Sequence, residues 1–193
     1  MNEEHLRICS SPQWAEYVEQ DLLPWALARS ELGDDVLEIG PGPGLTTNVI
    51  RQHVASLTAV EIDRTLAAAL THRFDGTNVT VVCADGAELP FSNDRFSGAA
   101  MFTMLHHVPS SDRQDLLLSE VCRVLGPDGL LVGSDSRETP QRWLLHEGDV
   151  YVPVDPGAFA HRLSRAGFVD IIVEEQDDRF RFLARTPPRR NVA

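Results

Sequence analysis

The stretch VLEIGPGPG, Val36 to Gly44, constrains this chain more than any other part of it. An apolar run carries the acidic Glu38 and then meets glycines at the alternate positions Gly40, Gly42 and Gly44. Backbone without Cβ atoms can reach positive φ and can lie against a ligand at van der Waals distance. Leu45, Val49 and Ile50 fall within one arc of a following helix, so the segment predicts strand, glycine turn and helix, the opening unit of an α/β fold. A dinucleotide fingerprint wants its third glycine at the sixth position of the loop. Counted from Gly40 that position is Leu45, so the spacing is GxGxG and a different nucleotide-like ligand is expected.

The rest of the chain repeats the alternation. LTAVEID, Leu57 to Asp63, predicts a second strand that brings Glu61 to its carboxyl end, 21 residues after Gly40. That is close to the ~20-residue interval of an acid that binds ribose hydroxyls, and a carboxylate can accept from both at once. VTVVCADGAELPF predicts a third strand, with Cys83 in the core and Asp85 just beyond the end. GAAMF, within FSGAAMFTMLHHV, predicts a fourth that runs into His106 and His107. Leu117, Val121, Val124 and Leu125 form one helical face over 112–125, which Gly126-Pro127 stops before the strand LLVGSDS. Asp155-Pro156 caps a helix bearing Phe159, Leu163 and Ala166, and FVDIIV and RFRFLA are the last two strands. Ahead of all these, Ser11-Pro12 starts a helix with Trp14, Tyr17 and Val18 on its apolar face, until Pro24 bends or ends it.

In this order and at this spacing, the motifs between Val36 and Ser134 resemble those of the class I S-adenosylmethionine-dependent methyltransferases, and LHHV resembles the ubiquinone/menaquinone-biosynthesis-like, type 11 group. The resemblance implies a three-layer αβα sandwich around a seven-stranded, mostly parallel Rossmann-like sheet of order 3-2-1-4-5-7-6, with strand 7 antiparallel. It implies S-adenosyl-L-methionine as cofactor and S-adenosyl-L-homocysteine as product. Carried over residue by residue, Glu38 helps hold the methionine ammonium, and backbone around Gly40, Gly42, Gly44 and Phe102 packs on methionine and ribose. Glu61 takes the ribose, Asp85 takes the adenine amino group, and Ile62 and Gly86 complete the cofactor set. One methyltransferase domain is expected over 1–186, with an N-terminal helical cap at 1–32, an acceptor-pocket insertion at 138–155 and a flexible tail at 187–193.

In-line methyl transfer needs the acceptor held near an already activated methyl group, with water excluded. His106 and His107 are the candidate catalytic bases, because neutral imidazole can take a proton near neutral pH; the competing reading is that they orient the loop. Trp14, Trp143, His146, Asp149 and Tyr151 are the candidate acceptor-pocket residues. No metal is expected: adjacent histidines cannot chelate as an i, i+4 pair does, and no HxH, HxxxH or CxxC is present.

Composition limits the acceptor. The formal net charge is −12 and the basic residues are scattered, so no basic face for a phosphate backbone is apparent and nucleic acid is not expected as a partner. Three separated cysteines suit reduced thiols, and no apolar run suits a membrane span or signal peptide, so a cytoplasmic protein without membrane contact, monomer or homodimer, is expected. Met101-Phe102 stands where amino-group methyltransferases carry DPPY or NPPY, which favours O- or C-methylation of a small molecule. VLEIGPGPG with AVEID also resembles the ribosomal RNA adenine dimethyltransferases, but their asparagine-proline motif and basic C-terminal domain are missing here. A protein or nucleic-acid methyltransferase and a non-catalytic cofactor-binding relative are the alternative readings.

Overall fold

The computed structural model describes residues 2–28 and 30–189; Met1 and Arg29 of the expected cap and 190–193 of the expected tail lie outside the described residues. Seven strands form one sheet: β1 (Asp35–Ile39), β2 (Ser56–Glu61), β3 (Val79–Cys83), β4 (Phe96–Phe102), β5 (Leu125–Ser136), β6 (Val169–Glu175) and β7 (Arg179–Arg185). Their order is β3-β2-β1-β4-β5-β7-β6. The pairs among β1 to β5 are parallel, and β7 runs antiparallel to both its neighbours. This is the topology that the family resemblance implies.

Alternation along the central strands separates two cores. Leu37 and Ile39 of β1 and Ala99 and Met101 of β4 face one side, against Leu117, Val121, Phe159, Phe180 and Phe182. Val36, Ala100 and Phe102 face the other, against Val18, Leu22, Leu23 and Ile50. A parallel sheet covered on both faces needs such near-continuous apolar strands, since successive side chains enter opposite cores. Cys83 departs from its expected core position: β3 is a sheet edge, and the thiol is exposed.

Among the described residues, eight α-helices connect and cover the strands: α1 (Glu3–Cys9), α2 (Pro12–Tyr17), α3 (Leu23–Ala26), α4 (Leu45–Ile50), α5 (Arg64–Arg73), α6 (Ser111–Val124), α7 (Pro140–Leu145) and α8 (Pro156–Arg165). Side-chain caps fix most starts, including Ser11 on Trp14 N–H, Asp63 on Thr65 and Leu66 N–H, and Asp155 on Gly157 N–H. Pro24 does not end the N-terminal helix. The five residues Val18–Leu22 between α2 and α3 are a π-helical turn, with Leu23 N–H donating to Val18 O. Proline lacks an N–H and crowds the carbonyl four residues back, and the wider turn lets helical backbone continue to Ala26.

The N-terminal helices are clamped to the sheet's antiparallel end. The Arg179 guanidinium of β7 lies 4.3 Å from the Trp25 ring centroid and 2.6 Å from the Asp21 carboxylate. Arg181, on the same face of β7, donates to the Trp25 carbonyl. Helix α1 falls within the helical cap expected at 1–32, ahead of the start read at Ser11-Pro12. Asn2 caps it by accepting from His5 N–H at 2.8 Å, and Glu3 and Glu4 occupy its first turn, where acids suit the helix dipole. Among the described residues no helix is long and apolar enough to cross a membrane.

Candidate functional site

The carboxyl ends of β1, β2 and β4 and the loop after β3 open onto a cavity of about 360 Å³ lined by Gly40, Gly42, Glu61, Ile62, Asp85 and Gly86, among others. Gly40, Gly42 and Gly44 have φ of +65°, +55° and +82°, the left-handed region in which side chains are strained. A Cβ on Gly40 would lie 2.9 Å from Met104 Cβ, and one on Gly44 would lie 2.5 Å from Leu70. The loop is therefore shaped by φ and by close packing together. The expected third contact, Gly44, packs behind the turn rather than lining this cavity.

The carboxylates around the loop are held by backbone N–H groups and, at Asp85, by an arginine as well. Glu61, 5% exposed, accepts Gly42 N–H at 3.0 Å and Asp63 N–H at 2.9 Å. Burial raises its pKa, against those N–H groups. Asp85 accepts Ala87 N–H at 2.8 Å and pairs with Arg113 at 2.5 Å. Its modest burial opposes ionisation, but the Ala87 N–H and the Arg113 guanidinium outweigh it and hold the carboxyl below its ordinary range. Arg113 lines the same cavity and gave no sequence signal beyond its place in the first turn of α6. Ile62 stands at the rim, 64% exposed.

Glu38 is placed differently from the others. It points to the α4 side of β1, 1% exposed, where it accepts from the Thr46 hydroxyl and from the Thr47 hydroxyl at 2.6 Å. Burial lifts its pKa to about 7 in spite of both threonines. Glu38 does not line the 360 Å³ cavity; Thr46, bonded to it, lines a crevice beside the glycine loop together with His5, Trp14 and Phe102. Phe102 packs into the core on that side.

Past Phe102 the chain turns sharply. Thr103 has φ +51°, unusual for a β-branched residue, and a 3-10 turn at Leu105–His107 follows. This turn presents His106 and His107. His106 is 3% exposed, with Nδ1 2.5 Å from Asp135 Oδ1 on β5 and its N–H 3.2 Å from Oδ2. Burial opposes ionisation of Asp135, but the attraction and hydrogen bond of His106, with the Ser136 and His106 N–H groups, hold its pKa low. His107 lines the 360 Å³ cavity, whereas His106 lies behind it.

Three of the expected acceptor-pocket aromatics do come together. Trp143, His146 and Tyr151, with Asp149, line a broad depression of about 1030 Å³ beside α7. The Tyr151 ring stacks on His146 at 4.3 Å and meets the Trp143 ring edge-on at 4.9 Å. Trp14 is not among them; it packs on Tyr17 at 4.9 Å near the glycine loop. The depression is larger than the 360 Å³ cavity but shallow, and its size alone does not make it the reaction centre.

The histidines form a cluster that the sequence did not announce, because His5 joins it from α1. Ring centroids are 4.6 Å apart for His5 and His146, 5.0 Å for His5 and His107, 5.1 Å for His107 and His146, and 4.3 Å for His106 and His107. Burial, then the charge of the neighbouring histidines, lowers His5 to about 4 and His107 to about 3. His146 is lowered for the same first reason, although its Nδ1 contacts Arg142 O at 2.6 Å. Asn2 seals α1 onto this region, donating from its backbone to Asp149 Oδ2 at 2.9 Å and from its side chain to Leu145 O at 2.9 Å and Glu147 O at 3.3 Å.

Comparison with known proteins sets this geometry in context. A family model described as a methyltransferase domain matches residues 37–133. The ribosomal RNA small subunit methyltransferase A of Bordetella pertussis is 44% identical over 59 residues, covering 31% of this chain and 22% of that protein. The protein-L-isoaspartate O-methyltransferase of Nitrobacter winogradskyi is 31% identical over 123 residues, covering 61% of this chain and 52% of that protein. The matches thus span between about a fifth and a half of the length of these two curated relatives. Among solved structures, the N-methyltransferase NodS of Bradyrhizobium japonicum, in complex with S-adenosyl-L-homocysteine, superposes with a TM-score of 0.73 at 19% identity, covering 96% of this chain and 93% of that one.

Proposed function

The chain belongs to the methyltransferase-domain family of class I, S-adenosylmethionine-dependent enzymes, and from that premise we propose that it transfers a methyl group to oxygen or carbon of a small-molecule acceptor. The observation that carries the reading is the convergence of Gly40, Gly42, Glu61, Asp85 and Gly86 on one cavity of about 360 Å³. That volume falls within the range of small-molecule and cofactor sites. The donor set also fits. Each Glu61 oxygen already taken by one N–H has a second lone pair for a ribose hydroxyl, and Asp85 offers its remaining acceptor capacity to an exocyclic amine. Ile62, exposed at the rim, gives a flat ring an apolar surface to cover. Glu38 acts on the methionine end through Thr46 and the shape of the loop.

When bound, S-adenosylmethionine would supply an activated methyl group on a sulfonium, to be taken by an acceptor oxygen or carbon that is already ionised, with the thioether S-adenosylhomocysteine as leaving group. The chain's part is to bind, orient and exclude water. His107 is the catalytic candidate nearest the cavity, but with its pKa lowered to about 3 it is a weak proton acceptor, so its contribution is to shape the acceptor's approach. Trp143, His146 and Tyr151 supply an aromatic wall for a flat, hydroxyl-bearing acceptor. Support for a small molecule over a polynucleotide comes from the net charge of −12.

Isothermal titration with S-adenosylmethionine and S-adenosylhomocysteine, repeated on Glu61→Ala and Asp85→Ala, tests the site. Saturable binding that both substitutions weaken is expected, followed by methyl transfer to phenolic, enolic or carboxylate acceptors in a labelled-methyl screen. No binding by folded protein would overturn the reading.

A further inference from the structure

His5, His107 and His146 reach one point from three distant parts of the chain. One ring nitrogen of each lies within 4.8 Å of the others'. Each also has a buried ring nitrogen with no hydrogen-bond partner: His5 Nδ1, His107 Nε2 and His146 Nε2. His5 and His146 are 6% and 3% exposed, so water is largely kept from them. An unmade hydrogen bond of this kind is costly at each buried group, and three such groups in one cluster ask for a common partner.

We propose that His5, His107 and His146 together bind one divalent first-row transition ion of the zinc class. The donor set is all imidazole, which suits zinc, copper, iron or nickel and not magnesium or calcium. His146 is already set up as a ligand: Nδ1 lies 2.6 Å from Arg142 O, an acceptor only, so Nδ1 carries the proton and Nε2 presents its lone pair to the cluster. Bonds of about 2.0–2.1 Å in a tetrahedral site bring ligand nitrogens to roughly 3.3 Å from one another. Modest rotation of the three rings closes the present separation. Three protein ligands leave a fourth position, as in zinc sites that take water or a substrate oxygen. The cluster stands where the cofactor-side cavity, through His107, meets the broad depression, through His146.

The expectation of no metal considered ligands close in sequence. Here the sequence separations are about 100 and 140 residues from His5 to the other two, and no short motif can display them.

Untagged protein freed of metal with a chelator is titrated with Zn²⁺ alone, and separately with Co²⁺ alone while its visible spectrum is recorded. One Zn²⁺ per chain with sub-micromolar dissociation, and the intense d–d absorption of four-coordinate nitrogen-bound Co²⁺, are expected. His5→Ala, His107→Ala and His146→Ala should each weaken Zn²⁺ binding by at least about tenfold. His53→Ala and Cys83→Ser, both at exposed positions, should leave it unchanged. Circular dichroism identifies any variant that fails to fold, and the wild-type Co²⁺ spectrum stands without variants. Absence of saturable Zn²⁺ binding by folded wild-type protein, binding indifferent to the three histidines, or a six-coordinate Co²⁺ spectrum would overturn the proposal. None of these outcomes depends on the cofactor, so they are distinguishable from failure of the methyltransferase reading.

Discussion

On the glycine-loop side of the sheet end, Glu38, Glu61 and Asp85 have their carboxylates engaged by Thr46 and Thr47, by the N–H groups of Gly42 and Asp63, and by Ala87 N–H with Arg113. Across Met104 and the Leu105–His107 turn, His5, His107 and His146 each retain a buried ring nitrogen without a partner. The two regions draw on the same end of the same sheet, yet one is satisfied within its own loops and the other is not. A region that completes its own hydrogen bonds is already organised for a ligand that adds to them. A region that leaves buried groups unmet is organised around something the chain does not supply.

Asp135 is the strongest test of that contrast, because it gives His106 a buried carboxylate, whereas His5, His107 and His146 each keep one ring nitrogen unmet. Asp135→Ala removes the acceptor for one imidazole and two backbone N–H groups at a site 1% exposed. A loss of about 3–5 kcal/mol in urea denaturation is expected. A loss below about 1 kcal/mol would show that His106 tolerates isolation as its neighbours do.

Glu38→Gln comes next, and its effect depends on pH. The folded pKa of Glu38 is about 7 against an ordinary 4.5, so the folded state holds the proton more tightly. The cost of keeping Glu38 ionised is absent below pH 4.5, grows as pH rises, and is complete above about 7, where it is on the order of 3 kcal/mol. Relative to wild type, Glu38→Gln should therefore gain stability between pH 5 and pH 8 in paired thermal melts. A constant difference across that interval would mean that Thr46 and Thr47 compensate burial fully.

Gly40→Val combines a φ of +65° with a Cβ 2.9 Å from Met104. It should cost about 1–3 kcal/mol of stability and abolish S-adenosylhomocysteine binding by calorimetry. Retained binding would remove the glycine loop from the difference between the two sides. Arg113→Gln gives the smallest effect: the ion pair with Asp85 is part-exposed and screened by solvent, so stability should barely change, while cofactor affinity shifts only a few-fold.

The sheet was legible because a covered parallel sheet leaves a direct trace: Val36 and Leu37, or Ala99 and Ala100, must both be apolar when each enters a different core. The glycine loop and Glu61 were legible because local backbone chemistry fixes their spacing. Arg113, Asp135 and His5 were not, since each acts through a partner distant in sequence. Asp135 reads in LLVGSDS as one more strand residue, and only the pairing of β4 with β5 brings it beside the turn that carries His106. Asn2 followed by Glu3-Glu4 was a helix-start signal for α1, but nothing in it says where that helix docks.

Asn2 closes the histidine cluster through bonds to Leu145 and Asp149, across sequence separations of 143 and 147 residues. Closing a loop of that length rewards the chain only after the sheet between the two ends has formed, so α1 docks late in folding. The same seam should be the first to part in the native state, with Asn2 and the α7 amides exchanging with deuterium far sooner than those of β1 and β4. Solvent and solutes would then reach the four imidazoles through brief local openings that leave the parallel strands paired.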